Sequence, residues 1–209
     1  MGNDLIARVR ITDVLQPSVN DTSNNSFLIR GNLTITAPNT EGQRLIVGST
    51  YNVTWNYTGA YDGDTVKIEY NMNGSAYCST WSDDLNKSGA AIPAADGIFP
   101  WTIPDTLSPN VRVRLTRNQA DVNAPVSTSP QVKIVGELTI TEPISVRKWF
   151  VNSQNNITWD KQGSIGTVDL YYAQDGTNFD PDAFASALAV NKTYRWTIPD
   201  QVGMVSPAA

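Results

Sequence analysis

At 209 residues the chain is long enough for two domains of about 100 residues, the common size of a β-sandwich. Hydrophobic residues at 40% supply cores, 14 Gly and 12 Pro mark frequent turns, and charged residues at 17% leave helices as a minor element. A net charge of −5 without clustered Lys and Arg excludes a nucleic-acid partner, and the absence of histidine removes the usual general base and zinc ligand.

In chain order, the first predicted strand is Arg8-Val9-Arg10-Ile11-Thr12, where apolar residues alternate with arginines on a wet face. Ser26-Phe27-Leu28-Ile29-Arg30-Gly31 follows. Next come Gly31-Asn32-Leu33-Thr34-Ile35-Thr36-Ala37-Pro38, Tyr51-Asn52-Val53-Thr54-Trp55, Thr65-Val66-Lys67-Ile68-Glu69-Tyr70 and Trp101-Thr102-Ile103-Pro104-Asp105. Arg112-Val113-Arg114-Leu115-Thr116 and Gln131-Val132-Lys133-Ile134-Val135-Gly136 then repeat the pattern of the first two strands.

The series starts again after that. Gly136-Glu137-Leu138-Thr139-Ile140-Thr141-Glu142-Pro143, Asn155-Asn156-Ile157-Thr158-Trp159, Thr167-Val168-Asp169-Leu170-Tyr171-Tyr172 and Trp196-Thr197-Ile198-Pro199-Asp200 match four earlier segments in order. The spacing is about 105 residues at the first match and 95 at the last, so one connecting loop is about ten residues shorter in the second copy. Asp62-Gly63-Asp64, Asn73-Gly74, Asp96-Gly97 and Asp175-Gly176 suit the positive φ of tight turns. Pro181–Val190 is the one stretch that reads as a short helix or, equally, a loop.

These patterns predict an all-β chain of tandem immunoglobulin-like antiparallel β-sandwiches. Residues 1–31 hold the last two strands of one module, 32–136 a complete module, and 137–209 a module without its final strands. No run of 18 apolar residues is present, so no membrane-inserted segment is expected. The single Cys78 forms no intramolecular disulfide, which leaves an oxidising compartment open.

The order L-x-I-x-x-P, Y-x-V-T-W, V-x-I-x-Y and W-T-I-P resembles the Ser/Thr-rich immunoglobulin-like repeat of fungal cell-wall glucan-assembly proteins. Tandem repeats in bacterial surface proteins are similar. The resemblance covers residues 7–200, with Trp55, Trp101, Trp159 and Trp196 at its tryptophan positions and Pro104 and Pro199 at its proline positions. Val132 and Ile134 depart from its usual Phe pattern. It implies an extracellular, cell-surface role and identifies no active site.

The four repeated tryptophans are expected in cores. Trp81 and Trp149 have no counterpart in the other copy and are the candidates for glycan binding. Asp175, Asp180 and Asp182 are weak candidates for Ca²⁺, as are the pairs Asp62–Asp64 and Asp83–Asp84, because that ion takes six to eight oxygens and turn carboxylates are common. No other cofactor is expected. Without histidine, Ser–His and Cys–His nucleophiles are excluded, no G-x-S-x-G or phosphate loop occurs, and no singular carboxylate pair stands out, so an enzyme is not expected. Nine N-x-S/T sequons, at Asn20, Asn24, Asn32, Asn52, Asn56, Asn73, Asn86, Asn156 and Asn191, exceed the roughly three that composition would give.

The strands missing from the last module correspond to residues 7–30. Either the chain is a window on a longer array, or Val9, Ile11, Phe27 and Ile29 of one copy complete the module 137–200 of a neighbour by strand complementation, which propagates as a filament. The expected partners are therefore copies of itself or neighbouring modules, with cell-wall or surface glycans as the alternative for an adhesive module.

Overall fold

The computed structural model describes residues 5–200 apart from 30, 60–63, 74–80, 82, 87–88, 119–125, 145–146 and 190–192. Cys78, Val190, the sequon at Asn191 and the glycines of the turns expected at Asp62-Gly63 and Asn73-Gly74 lie outside the described residues, as do the side chains of Leu5, Asp83 and Asp84.

The described chain is built from short strands. They begin with β1 (Leu5–Ala7), β2 (Arg10–Thr12), β3 (Asn20–Thr22), β4 (Phe27–Ile29), β5 (Asn32–Ala37), β6 (Arg44–Ile46), β7 (Thr50–Thr58) and β8 (Thr65–Asn71). Then come β9 (Asp83–Asp84), β10 (Ile92–Pro93), β11 (Ile98–Thr102), β12 (Ser108–Arg117), β13 (Val126–Thr128) and β14 (Val132–Val135). The last five are β15 (Glu137–Glu142), β16 (Gln154–Gln162), β17 (Thr167–Leu170), β18 (Ala185–Ala189) and β19 (Thr193–Thr197). By contacts the chain divides into two compact units: Met1–Gln43 with Thr50–Trp101 and Pro109–Lys133, and Arg44–Ser49 with Thr102–Ser108 and Ile134–Ala209.

One sandwich has a sheet of order β11-β7-β5 and a second of order β10-β8-β12-β14-β6, with β9 beside β8 and β13 beside β12. Period-two patterning explains it. On β7, Val53 and Trp55 turn inward while Asn52 and Asn56 face water; on β12, Val111, Val113 and Leu115 are completely buried. Full burial of such side chains stabilises by about 1.5–3 kcal/mol each. Arg117 shares that inward face and is buried by pairing bidentately with Asp64, Nη2 lying 2.8 and 2.9 Å from its two oxygens. Trp55 satisfies its indole N–H by donating to Ala94 O at 2.8 Å.

The second unit carries a sheet of order β15-β16-β19 and a ribbon β17-β18. Its small core is Ile157, Trp159 and Val168, with Ile165, Leu170, Phe184, Leu188, Tyr194 and Trp196 packed against it only partly buried. Local geometry repeats faithfully. The Thr36–Thr54 hydroxyl pair at 2.7 Å recurs as Thr141–Thr158 at 2.7 Å, and the bulge of β5 on β7 recurs in β15 on β16. The stretch read as helix or loop is a strand from Ala185, because β17 holds it in register, Val168 opposite Leu188.

Candidate functional site

The first surface is the ribbon formed by β1 to β4. Antiparallel pairing sets Ala7 opposite Phe27 and Leu5 opposite Ile29, then Arg10 opposite Thr22 and Ile11 opposite Asp21. The β12–β13 ladder has the same register at equivalent residues, Arg114 opposite Thr128 and Leu115 opposite Ser127. The kink between strands is pinned identically as well. Ser23 N donates to Val9 O at 2.8 Å and Val9 N to Ser23 Oγ at 3.2 Å. Ser129 N donates to Val113 O at 2.9 Å and Val113 N to Ser129 Oγ at 2.9 Å. Sequence reading missed this pair, although the doublets Thr22-Ser23 and Thr128-Ser129 signal it.

Burial is where the two ribbons part. Val113, Leu115 and Val132 are 0% exposed and Ile134 is 1%, whereas their counterparts Val9, Ile11, Phe27 and Ile29 are 60%, 72%, 45% and 51% exposed. The face that forms core in one ribbon is bare in the other.

The second surface is the open side of the second unit. In the first sandwich β8 has β10 on one edge and β12 on the other; among the described residues its counterpart β17 pairs only with β18. Leu170 O accepts from Phe184 N at 2.9 Å on that side, so the backbone groups of its strand neighbour Asp169 point to the opposite edge. The aromatic pair Tyr70–Trp101, centroids 5.2 Å apart and both rings buried, recurs as Tyr172–Trp196 at 5.5 Å, but here the rings are half-exposed. They line a cleft of about 490 Å³ together with Gln174, Phe179, Asp180 and Phe184.

Trp149 belongs to this surface. Asn152 N donates to Ile198 O and Ile198 N to Ser153 O, just as Gly48 N donates to Ile103 O and Ile103 N to Ser49 O. This sets Trp149 at the position of the buried Leu45, a counterpart the sequence concealed because the residue types differ. Its ring packs edge-on against Trp196 at 6.1 Å. Asn152 takes a left-handed φ of 63°, a conformation Asn tolerates in place of Gly48.

The outer face of β8 and β12 carries charge. Glu69 is buried between Lys67, at 2.7 Å, and Arg114, at 2.5 Å, and the Arg114 guanidinium also lies 4.4 Å over the ring of Trp81. Burial raises the Glu69 pKa, but the hydrogen bonds from Lys67 and Arg114 and their charge outweigh it and hold the carboxyl below its ordinary value. Trp81 is thus a half-buried cation–π partner.

Of the calcium candidates, Asp175 and Asp180 are engaged locally, while Asp62 and the side chains of Asp83 and Asp84 lie outside the described residues. Asp175 accepts from Asn178 N at 2.7 Å, Thr177 N at 2.8 Å and Asn178 Nδ2 at 2.6 Å, and these bonds hold its pKa below the usual range. Asp180 Oδ1 accepts from Asp182 N at 3.0 Å. Among the described residues no group of three or more His, Cys, Asp or Glu converges, and no helix is long and apolar enough to cross a membrane.

No family model matches the sequence, and no curated protein matches it. Among solved structures the chain is similar to the fibronectin(III)-like modules of CbhA from Clostridium thermocellum. The identity is 17% over 79% of this chain and 78% of that one, with a TM-score of 0.28.

Proposed function

We propose that this chain is a non-catalytic structural module of an extracellular surface array, assembling head to tail by strand complementation. Ribbon residues 5–29 of one copy close the open sandwich 137–200 of the next. One observation carries the reading: the ribbon has the register of the β12–β13 ladder, yet its apolar face is exposed. Burying Val9, Ile11, Phe27 and Ile29 would contribute about 1.5–3 kcal/mol each, enough to compete with an association cost of several kcal/mol. The contact is heterologous and does not close, so repetition gives a fibre. The resemblance to Ser/Thr-rich surface repeats supports the extracellular setting.

Light scattering of the 209-residue chain over a range of concentrations, with negative-stain microscopy, tests it. Regular beaded polymers are expected from the wild type, and a 22.8 kDa monomer with an intact first sandwich from Ile11→Asp. A wild-type chain that stays monomeric throughout overturns the proposal.

The cleft beside Trp196 favours one second reading, an adhesive module for cell-wall glycans. Its half-exposed rings offer a stacking floor and its Asp and Gln side chains hydrogen-bonding groups. Saturable binding of soluble glucans that Phe179→Ala and Trp196→Ala remove would establish it over assembly.

A further inference from the structure

The edge of β17 carries more than backbone groups. On β8 and β12 the facing pairs are Val113 with Tyr70, Arg114 with Glu69, Leu115 with Ile68 and Thr116 with Lys67. Transferred to the proposed joint, the same register sets Val9 opposite Tyr172, Arg10 opposite Tyr171, Ile11 opposite Leu170 and Thr12 opposite Asp169. The side chains that meet Arg10 therefore differ from those that meet Arg114. The buried Glu69 is replaced by Tyr171, 46% exposed, and the cation Lys67 by the exposed anion Asp169. Asp169 is exposed, and its Oδ1 accepts from Ala187 N of the neighbouring β18 at 2.7 Å.

We infer that Tyr171 and Asp169 form the receptor for Arg10 of a second copy and set the register of the joint; this rests on the assembly reading above. Arg10 is exposed and its strand neighbours hold it extended on the polar face of the ribbon. Directly opposite, the exposed Tyr171 ring is an aromatic partner for the guanidinium, the kind of contact that Trp81 makes with Arg114. Asp169 of β17 lies diagonally, two residues before Tyr171 in the chain, within reach of a long side chain. A slip of the ribbon by two residues keeps every apolar side chain inward, but in one direction it carries Arg10 away from both partners and in the other it sets Arg10 opposite Asp169 and takes it from Tyr171. The apolar face therefore drives association while Arg10 fixes the register.

The association constant of the full chain, measured by sedimentation velocity at low and high salt, tests this. Arg10→Glu and Asp169→Lys should each weaken association about threefold at low salt, and the double variant should recover it. Tyr171→Glu, which restores the residue found opposite Arg114, should strengthen it about threefold. If the wild type assembles and Ile11→Asp abolishes assembly, while these variants leave both the constant and its salt dependence unchanged, the receptor inference fails and the assembly reading stands. If Ile11→Asp leaves assembly intact, the assembly reading itself fails.

Discussion

The ribbon β1–β4 and the ribbon β12–β14 show how little of a strand's fate is local. Both alternate apolar and polar residues, and both use a serine hydroxyl to hold the same valine N–H. One buries its apolar face completely and the other leaves it open to water. Strand formation is set by residues within the ribbon, whereas burial depends on which sheet faces it.

The largest expected effect breaks the equivalence at Leu115 and Ile11. Leu115→Ala should lower stability by about 2–5 kcal/mol in urea denaturation, because a fully buried side chain leaves a cavity. Ile11→Ala should leave the unfolding midpoint of the dilute monomer within about 0.5 kcal/mol of wild type. If Ile11→Ala costs as much as Leu115→Ala in dilute solution, its side chain is covered within the monomer and the comparison collapses.

A smaller contrast is expected at the two serines. Ser129→Ala removes the acceptor of a buried valine N–H and should cost about 1–3 kcal/mol. Ser23→Ala leaves Val9 N–H exposed to water, so the same denaturation measurement should show a change below about 0.5 kcal/mol. The difference between the two serines should shrink once the chain is assembled.

The mildest expectation is an acid step that Glu69 contributes in the first sandwich. Glu69 is held below its ordinary value of 4.5, so its stabilising contribution is complete above that pH and is lost as the pH falls through the lowered value. Glu69→Gln should flatten the stability profile in that acid range. The position has Tyr171 in the second unit, so Glu69→Gln should leave unchanged a melt that follows the second unit separately. An unchanged profile in Glu69→Gln would locate the acid sensitivity elsewhere.

Strand pattern was legible in the sequence because period-two alternation is written in consecutive residues, as at Val111-Arg112-Val113-Arg114-Leu115, and the turns at Asp96-Gly97 and Asp175-Gly176 were legible from their glycines. The core tryptophans Trp55, Trp101 and Trp159 were legible for the same reason. Trp149 was not, because its equivalence to Leu45 rests on backbone hydrogen bonds at Asn152 and Ser153 and not on residue type. Nor was the strand Ala185–Ala189, whose small residues carry no clear period and are ordered by pairing with β17.

By itself, then, the sequence determined where the alternating strands form and which of their side chains share a face, since both follow from alternation along a short stretch. Only the tertiary structure decided which of those faces becomes core. Burial requires an opposing sheet, and whether Val113 is covered or Val9 is left exposed among the described residues depends on strands far away in the chain.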